Sequence, residues 1–191
     1  MLSDLIISQV RIKTLNHFFE HPSSAYHVRE LVRILQEEIN AVRRELGYLE
    51  KRNILKKEPR GNRIYYSLRR DYPYYFDLLE LVAKTNGVAR EILKLKNKLG
   101  KIKFAVMSGS FVRGESFDEN KVDLLIIGQI VLPELDALVK NEQLRKNREM
   151  NYTVMSEEEF KFRKERKDPF VFGILLGSRV MIIGDEEELV A

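Results

Sequence analysis

The run Ile39-Asn40-Ala41-Val42-Arg43-Arg44-Glu45-Leu46-Gly47-Tyr48-Leu49-Glu50-Lys51-Arg52-Asn53 decides how the first third of the chain is read. Ile39, Val42, Leu46 and Leu49 recur at helical spacing, so a helix is predicted over residues 37–52 with one apolar stripe. Asn40, Arg43 and Arg44 fall on its other side, with Tyr48 near them, and Asn53 is expected to end it. Such a helix is held to a core by one face and offers hydrogen-bond donors from the other. Arg can fork onto guanine and Asn onto adenine in a major groove, so these residue types suit duplex DNA.

Upstream, Ile7, Val10, Ile12, Leu15, Phe18 and Phe19 predict an amphipathic helix over residues 5–20. His21-Pro22-Ser23-Ser24 stops it, with serine favouring the next N-cap. Val28, Leu31, Val32 and Leu35 give a short second helix, and Gln36-Glu37-Glu38 joins it to the third with helix-turn-helix spacing. Downstream the period changes. Residues 54–58 and 63–68 read as strands around Pro59-Arg60-Gly61-Asn62, where Gly and Asn tolerate a tight turn. This hairpin brings Lys56, Lys57, Arg60, Asn62 and Arg63, cations suited to a phosphate backbone or a minor groove.

Charge follows the same division. Residues 1–70 carry 14 Lys and Arg against 8 Asp and Glu, a net of +6, whereas the remaining residues hold 19 against 21, a net of −2. A bland alternative is a three-helix core with a solvated basic hairpin. Helices, hairpin and charge taken together favour a polyanion partner, double-stranded DNA.

The whole chain has 191 residues, 44% apolar and 32% charged, with no cysteine. That length suits one medium domain or two small ones, and the missing cysteine excludes disulfides and thiolate sites. No apolar run approaches the roughly 20 residues of a membrane span, so a soluble protein with no membrane partner is expected. With no cysteine calling for an oxidising compartment, a cytoplasmic home is expected. His17 and His21 have the i,i+4 spacing of a metal pair, but without further ligands in register they read as ordinary surface histidines. No metal or cofactor is expected there.

The fold class expected is α+β in three parts: residues 1–70, a helical connector over 71–100 broken near Asn86-Gly87, and residues 101–191. In the last part, residues 101–107, 121–127, 148–155 and 179–183 read as strands with helices between them, a small mixed sheet. Gly109-Ser110 leaves the first of these strands and Arg113-Gly114 follows. Such a turn lets backbone N–H groups approach phosphates. Lys121 and Asp123, at alternate positions, are expected on one face of the next strand, and Glu149 falls on a later one.

Residues 7–68, with Ile39-Asn40-Ala41-Val42-Arg43-Arg44-Glu45-Leu46 and Arg60-Gly61-Asn62-Arg63-Ile64-Tyr65-Tyr66, resemble a winged helix-turn-helix of the ArsR/MarR-like regulators. That resemblance implies a transcription regulator that binds DNA as a homodimer. Residues 102–184 resemble the minimal nucleotidyltransferase domain of the polymerase-beta-like superfamily, whose pattern is Gly-Ser, Arg-Gly, an Asp-x-Asp pair and a third carboxylate. Gly109, Ser110, Arg113, Gly114 and Asp123 match it, but Lys121 stands where the first Asp belongs. An ammonium there repels a divalent cation and can pair with Asp123 and Glu149, so an inactive domain is expected. A phosphate cleft at Gly109, Ser110, Arg113 and Lys121 remains an option. The rival is an active nucleotidyltransferase using Asp123 and Glu149 with Mg²⁺ and a nucleoside triphosphate, docked by the winged helix. A third possibility is an interaction module with a protein partner.

Overall fold

The computed structural model describes residues 6–191. The chain has an α+β fold, and it divides into two compact units, Met1–Thr85 and Asn86–Ala191.

The first unit opens with α1 (Gln9–Glu20), whose N-cap is Ser8: its hydroxyl accepts the Arg11 N–H. The helix therefore begins later than the apolar spacing predicts, and Ile7 is fully exposed. Leu5, the first residue of the expected helix, lies outside the described residues. After Pro22 a short strand β1 (Ala25–His27) intervenes, so His27 rather than a serine caps α2 (Val28–Leu35). Next come α3 (Ile39–Lys51), the hairpin strands β2 (Leu55–Arg60) and β3 (Arg63–Leu68), and α4 (Tyr75–Thr85). Asn53 follows α3 at φ 59°, the left-handed conformation that closes a helix. Gly61 begins the two-residue hairpin loop at φ 60°, where a side chain would be strained.

The three strands pair antiparallel in the order β1-β3-β2. Helices α1, α2 and α3 pack on one another, and Ile12, Leu15, Phe18 and Phe19 of α1, Leu31 and Leu35 of α2 and Val42, Leu46 and Leu49 of α3 are buried. Leu55 and Leu68, paired across the hairpin, close its base. Each such side chain contributes about 1.5–3 kcal/mol by leaving water, so the apolar stripe of α3 fixes which face that helix shows to solvent.

The second unit contains α5 (Gly87–Leu99), β4 (Gly100–Ser108), the short α6 (Gly109–Val112), β5 (Leu124–Ile130) and α7 (Leu132–Lys146). It continues with β6 (Tyr152–Met155), α8 (Glu157–Glu165), α9 (Pro169–Leu176), β7 (Arg179–Ile183) and α10 (Glu186–Val190). The sheet runs β6-β5-β4-β7, parallel only between β5 and β6. Phe104, Val106, Leu125, Ile127 and Met181 project from one face onto Phe160, Val171 and Leu189 of α8, α9 and α10. Helices α5 and α7 pack on each other, and α5 also meets β4 and β7. Leu124–Ile127 are all buried, as befits a central strand with helices on both sides.

The break expected at Asn86-Gly87 is where α5 begins. Asn86 makes no side-chain cap there; instead the Val88 N–H donates to the Glu142 carboxylate of α7 at 3.1 Å. Glu142 is buried and bound by the Arg145 guanidinium at 2.8 and 2.9 Å. Gly87 sits at φ 54°, and a Cβ on it would lie 2.7 Å from both Glu142 carboxylate oxygens.

Candidate nucleic-acid interface

Because Val42, Leu46 and Leu49 of α3 are buried, Asn40, Arg43, Arg44 and Tyr48 are left exposed on its outer side. The helix is capped by Glu38, whose carboxylate accepts the Ala41 N–H at 2.9 Å. Backbone N–H groups of Asn40 and Ala41 hold that carboxyl below its usual range, with a smaller pull from Arg44 and Arg43. Arg43 and Arg44 take part in no ion pair among the described residues.

Tyr48 is placed differently from the other three. The Arg11 guanidinium of α1 lies 3.9 Å from its ring centroid and that of Arg52 at 5.5 Å. Arg11 is itself fixed by Glu45, with Nε 2.7 Å from a carboxylate oxygen. Tyr48 is thus tied to α1.

The hairpin cations divide by strand register. Side chains alternate along a strand, so Lys57, opposite Tyr66, shares a face with Ile64, opposite Pro59. Lys56, Arg60 and Arg63 belong to the other face, where Arg60 lies 5.0 Å from the Tyr65 ring centroid. All the hairpin cations are exposed, and two are engaged by neighbours: Lys57 with Glu50 of α3 at 3.1 Å, and Arg60 with Glu58 at 3.0 Å.

Arg43 of α3 lines one hollow with Asn62 and Arg63 of the hairpin. The hollow measures about 540 Å³ and also contains His27 and Arg29, at the start of α2. Sequence reasoning missed both. The signal was His27-Val28-Arg29-Glu30, a cap residue with Glu three positions on, in which His replaces the usual Ser or Thr.

His17 and His21 are 5.0 Å apart between ring centroids. His17 is not a surface residue as expected: its ring packs 4.6 Å from that of Tyr26, and its Nε2 is buried without a hydrogen bond. Burial, then the neighbouring His21, lowers its pKa.

In the second unit, a cleft of about 480 Å³ brings Ser110, Arg113 and Lys121 together, joined by Ser108, Asn120 and Ser178. Gly109, expected in the same site, does not line the cleft: it is buried, and its N–H donates to the Ser178 carbonyl at 2.7 Å. Arg113 donates to the Ser178 hydroxyl at 3.0 Å and to Glu115 at 2.6 Å.

The expected Lys121–Asp123–Glu149 cluster is not formed. Strand β5 begins at Leu124, so Lys121 lies in the preceding turn, 3.4 Å from Asp118. Strand β6 begins only at Tyr152, and Glu149 is exposed. Asp123 is buried, accepts the Asn151 N–H at 3.1 Å, and faces Arg148 at 3.7 Å. Burial pushes its carboxyl up, and the Asn151 N–H, Arg148 and Ser108 only partly oppose this. Asn151 also donates to the carbonyls of Asp118, Glu119 and Lys121, clamping the turn. A buried carboxylate engaged by an amide and a guanidinium, with Asp118 acting on it only through charge and itself paired with Lys121, does not fit a Mg²⁺ pair.

No helix among the described residues is long and apolar enough to cross a membrane. No protein-family model and no curated protein sequence matches the chain. Among solved structures it is similar to reduced HlyU from Vibrio cholerae N16961, at 14% identity and a TM-score of 0.34, over 44% of this chain and 80% of that one. It is also similar to M. tuberculosis Rv0081, at 25% identity and a TM-score of 0.34, over 49% of this chain and 84% of that one.

Proposed function

We propose that the chain is a sequence-specific transcription regulator that binds double-stranded DNA as a homodimer. Its first unit acts as a winged helix-turn-helix, and its second is a degenerate nucleotidyltransferase-like domain. The observation that carries the reading is the outer side of α3. Asn40, Arg43 and Arg44 are exposed there without ion pairs, on a helix whose other face is locked into the core. Arg43 and Arg44 then read base edges in the major groove, each bidentate contact supplying about 1–3 kcal/mol of discrimination. Lys56, Arg60, Asn62 and Arg63 hold the backbone or the adjacent minor groove, while Lys57 is engaged by Glu50. A second copy doubles the phosphate contacts and steepens the salt dependence.

The test is selection of binding sites from a randomised duplex pool, followed by titration of wild type and the Arg43→Ala/Arg44→Ala double variant. The variant is expected to keep its melting temperature and to bind selected and scrambled duplexes equally. Isotherms matching wild type on both would overturn the groove assignment.

The cleft in the second unit favours a further reading for that domain: binding of a nucleotide or other phosphate without turnover. Ser110, Arg113 and Lys121 converge in it, while Asp123 is engaged elsewhere. Titration calorimetry with ATP in the absence of divalent ions, for wild type and Arg113→Ala, separates this from an empty structural cleft.

A further inference from the structure

We infer that the hollow between α2, α3 and the hairpin seats a single phosphodiester of the DNA backbone, with His27 as an uncharged donor to it. This rests on the DNA-binding reading above. The assignment follows from the way His27 is used by its own helix. Its Nδ1 accepts the Glu30 N–H at 3.2 Å, and the Glu30 carboxylate accepts the His27 N–H at 3.4 Å. A ring nitrogen that accepts a hydrogen bond carries no proton, so the proton of the neutral imidazole resides on Nε2. The opposite tautomer would set an Nδ1–H against the Glu30 N–H and destroy the reciprocal cap.

That Nε2 lies 3.4 Å from Nη1 of Arg63. With Nε2 protonated, both atoms are donors, and neither satisfies the other. One oxyanion satisfies both. The imidazole plane is held by Tyr65, its partner in the strand register, whose ring stands edge-on at 5.5 Å. Arg29 from α2 lines the same hollow and is in no ion pair among the described residues, whereas Arg43 on its α3 side is left to the base edges. The charged side chains lining the space are all cationic donors, and no carboxylate is among them. Guanine also presents acceptors at its groove edge, but uncharged and in one plane, whereas a phosphate presents charged oxygens tetrahedrally to donors that converge from α2 and the hairpin. The lining therefore fits a phosphate.

The seat is tested with the full chain and fluorescent duplex DNA, by anisotropy titrations over a series of salt concentrations at pH 8. His27→Asn keeps one of the best capping side chains on α2, so its melting temperature is expected to match wild type. It lacks the Nε2 donor. Affinity is expected to fall about five- to tenfold on every duplex, with the slope of log K against log salt unchanged, because an uncharged donor displaces no counterion. Arg63→Gln should instead make the slope shallower by about 0.9 per protomer. Wild-type affinity for His27→Asn would overturn the seat, and so would a loss confined to one DNA sequence, which marks base reading. Should His27→Asn unfold, His27→Ser retains a cap and gives the same comparison. Wild-type protein that binds no duplex at low salt would instead sink the DNA-binding reading, and the seat with it.

Discussion

Replacing Glu50 with Gln should strengthen DNA binding, by an amount that depends on salt in a defined way. Glu50 lies in the last turn of α3 and holds the Lys57 ammonium of β2 at 3.1 Å. In the wild-type chain that lysine is already neutralised by its own protein. Glu50→Gln releases it while leaving the apolar stripe of α3 untouched, and removes a negative charge from a helix C-terminus, where it is unfavourable. One freed cation that neutralises one phosphate adds about 0.9 to the slope of log K against log salt, hence about 1.8 for a dimer. Between 50 and 200 mM salt a slope change of that size alters the affinity ratio of variant to wild type about 12-fold, with the gain at low salt. Anisotropy titrations at 50, 100 and 200 mM salt measure both slopes. Lys57→Gln is the control and should leave the wild-type slope nearly unchanged. An unaltered or shallower slope in Glu50→Gln, in protein of normal melting temperature, would show that this face of the hairpin does not meet DNA.

Glu142→Ala removes both the acceptor for the buried Val88 N–H and the partner of Arg145, and should cost the second unit about 3 kcal/mol in urea denaturation. Glu142→Gln keeps an acceptor and should recover about half of that, whereas a loss under about 1 kcal/mol in the alanine variant would refute the capping role. His17 adds a pH dependence. Its folded pKa is lowered by burial, so the unfolded chain binds the proton more readily. Stability is then full above about pH 6.5 and declines as the pH falls toward the lower folded pKa. Melting temperatures of wild type and His17→Phe at pH 7.5 and 5.5 check this, with the acid-induced drop expected to be smaller in the variant.

The elements most legible in the sequence were those whose side chains repeat along one segment. The stripe Ile39, Val42, Leu46 and Leu49 marked α3 because burial on one side of a helix leaves a period in the residues themselves. Strand β1 left no such mark. Its three residues are too few to alternate, and they pair with β3, some forty positions away. His27 and Arg29 were missed as interface residues for the same reason, since only that pairing carries them to the hairpin. Lys121 and Asp123 misled in the opposite direction. Alternate positions imply a shared face only inside a strand, and the Asn151 side chain holds residues 118–121 in a turn that ends just before β5.

That turn changes the physical account of the second unit. A lysine two residues from Asp123 looks like a plug for a cation seat, but its ammonium pairs with Asp118 and is largely solvated. The counter-charge of Asp123 comes from Arg148 instead, and its carboxylate is committed to the backbone of Asn151. Burial that pushes a carboxyl up favours its neutral form, which is a poor ligand for a hard divalent ion. Placing an Asp at position 121 would therefore not build a metal pair, because the neighbouring carboxylate remains enclosed. Lys121→Asp alone should show no Mg²⁺-dependent change in melting temperature. A clear stabilisation by Mg²⁺ in that variant would mean that the Asn151 clamp yields, and that the lysine was the obstacle after all.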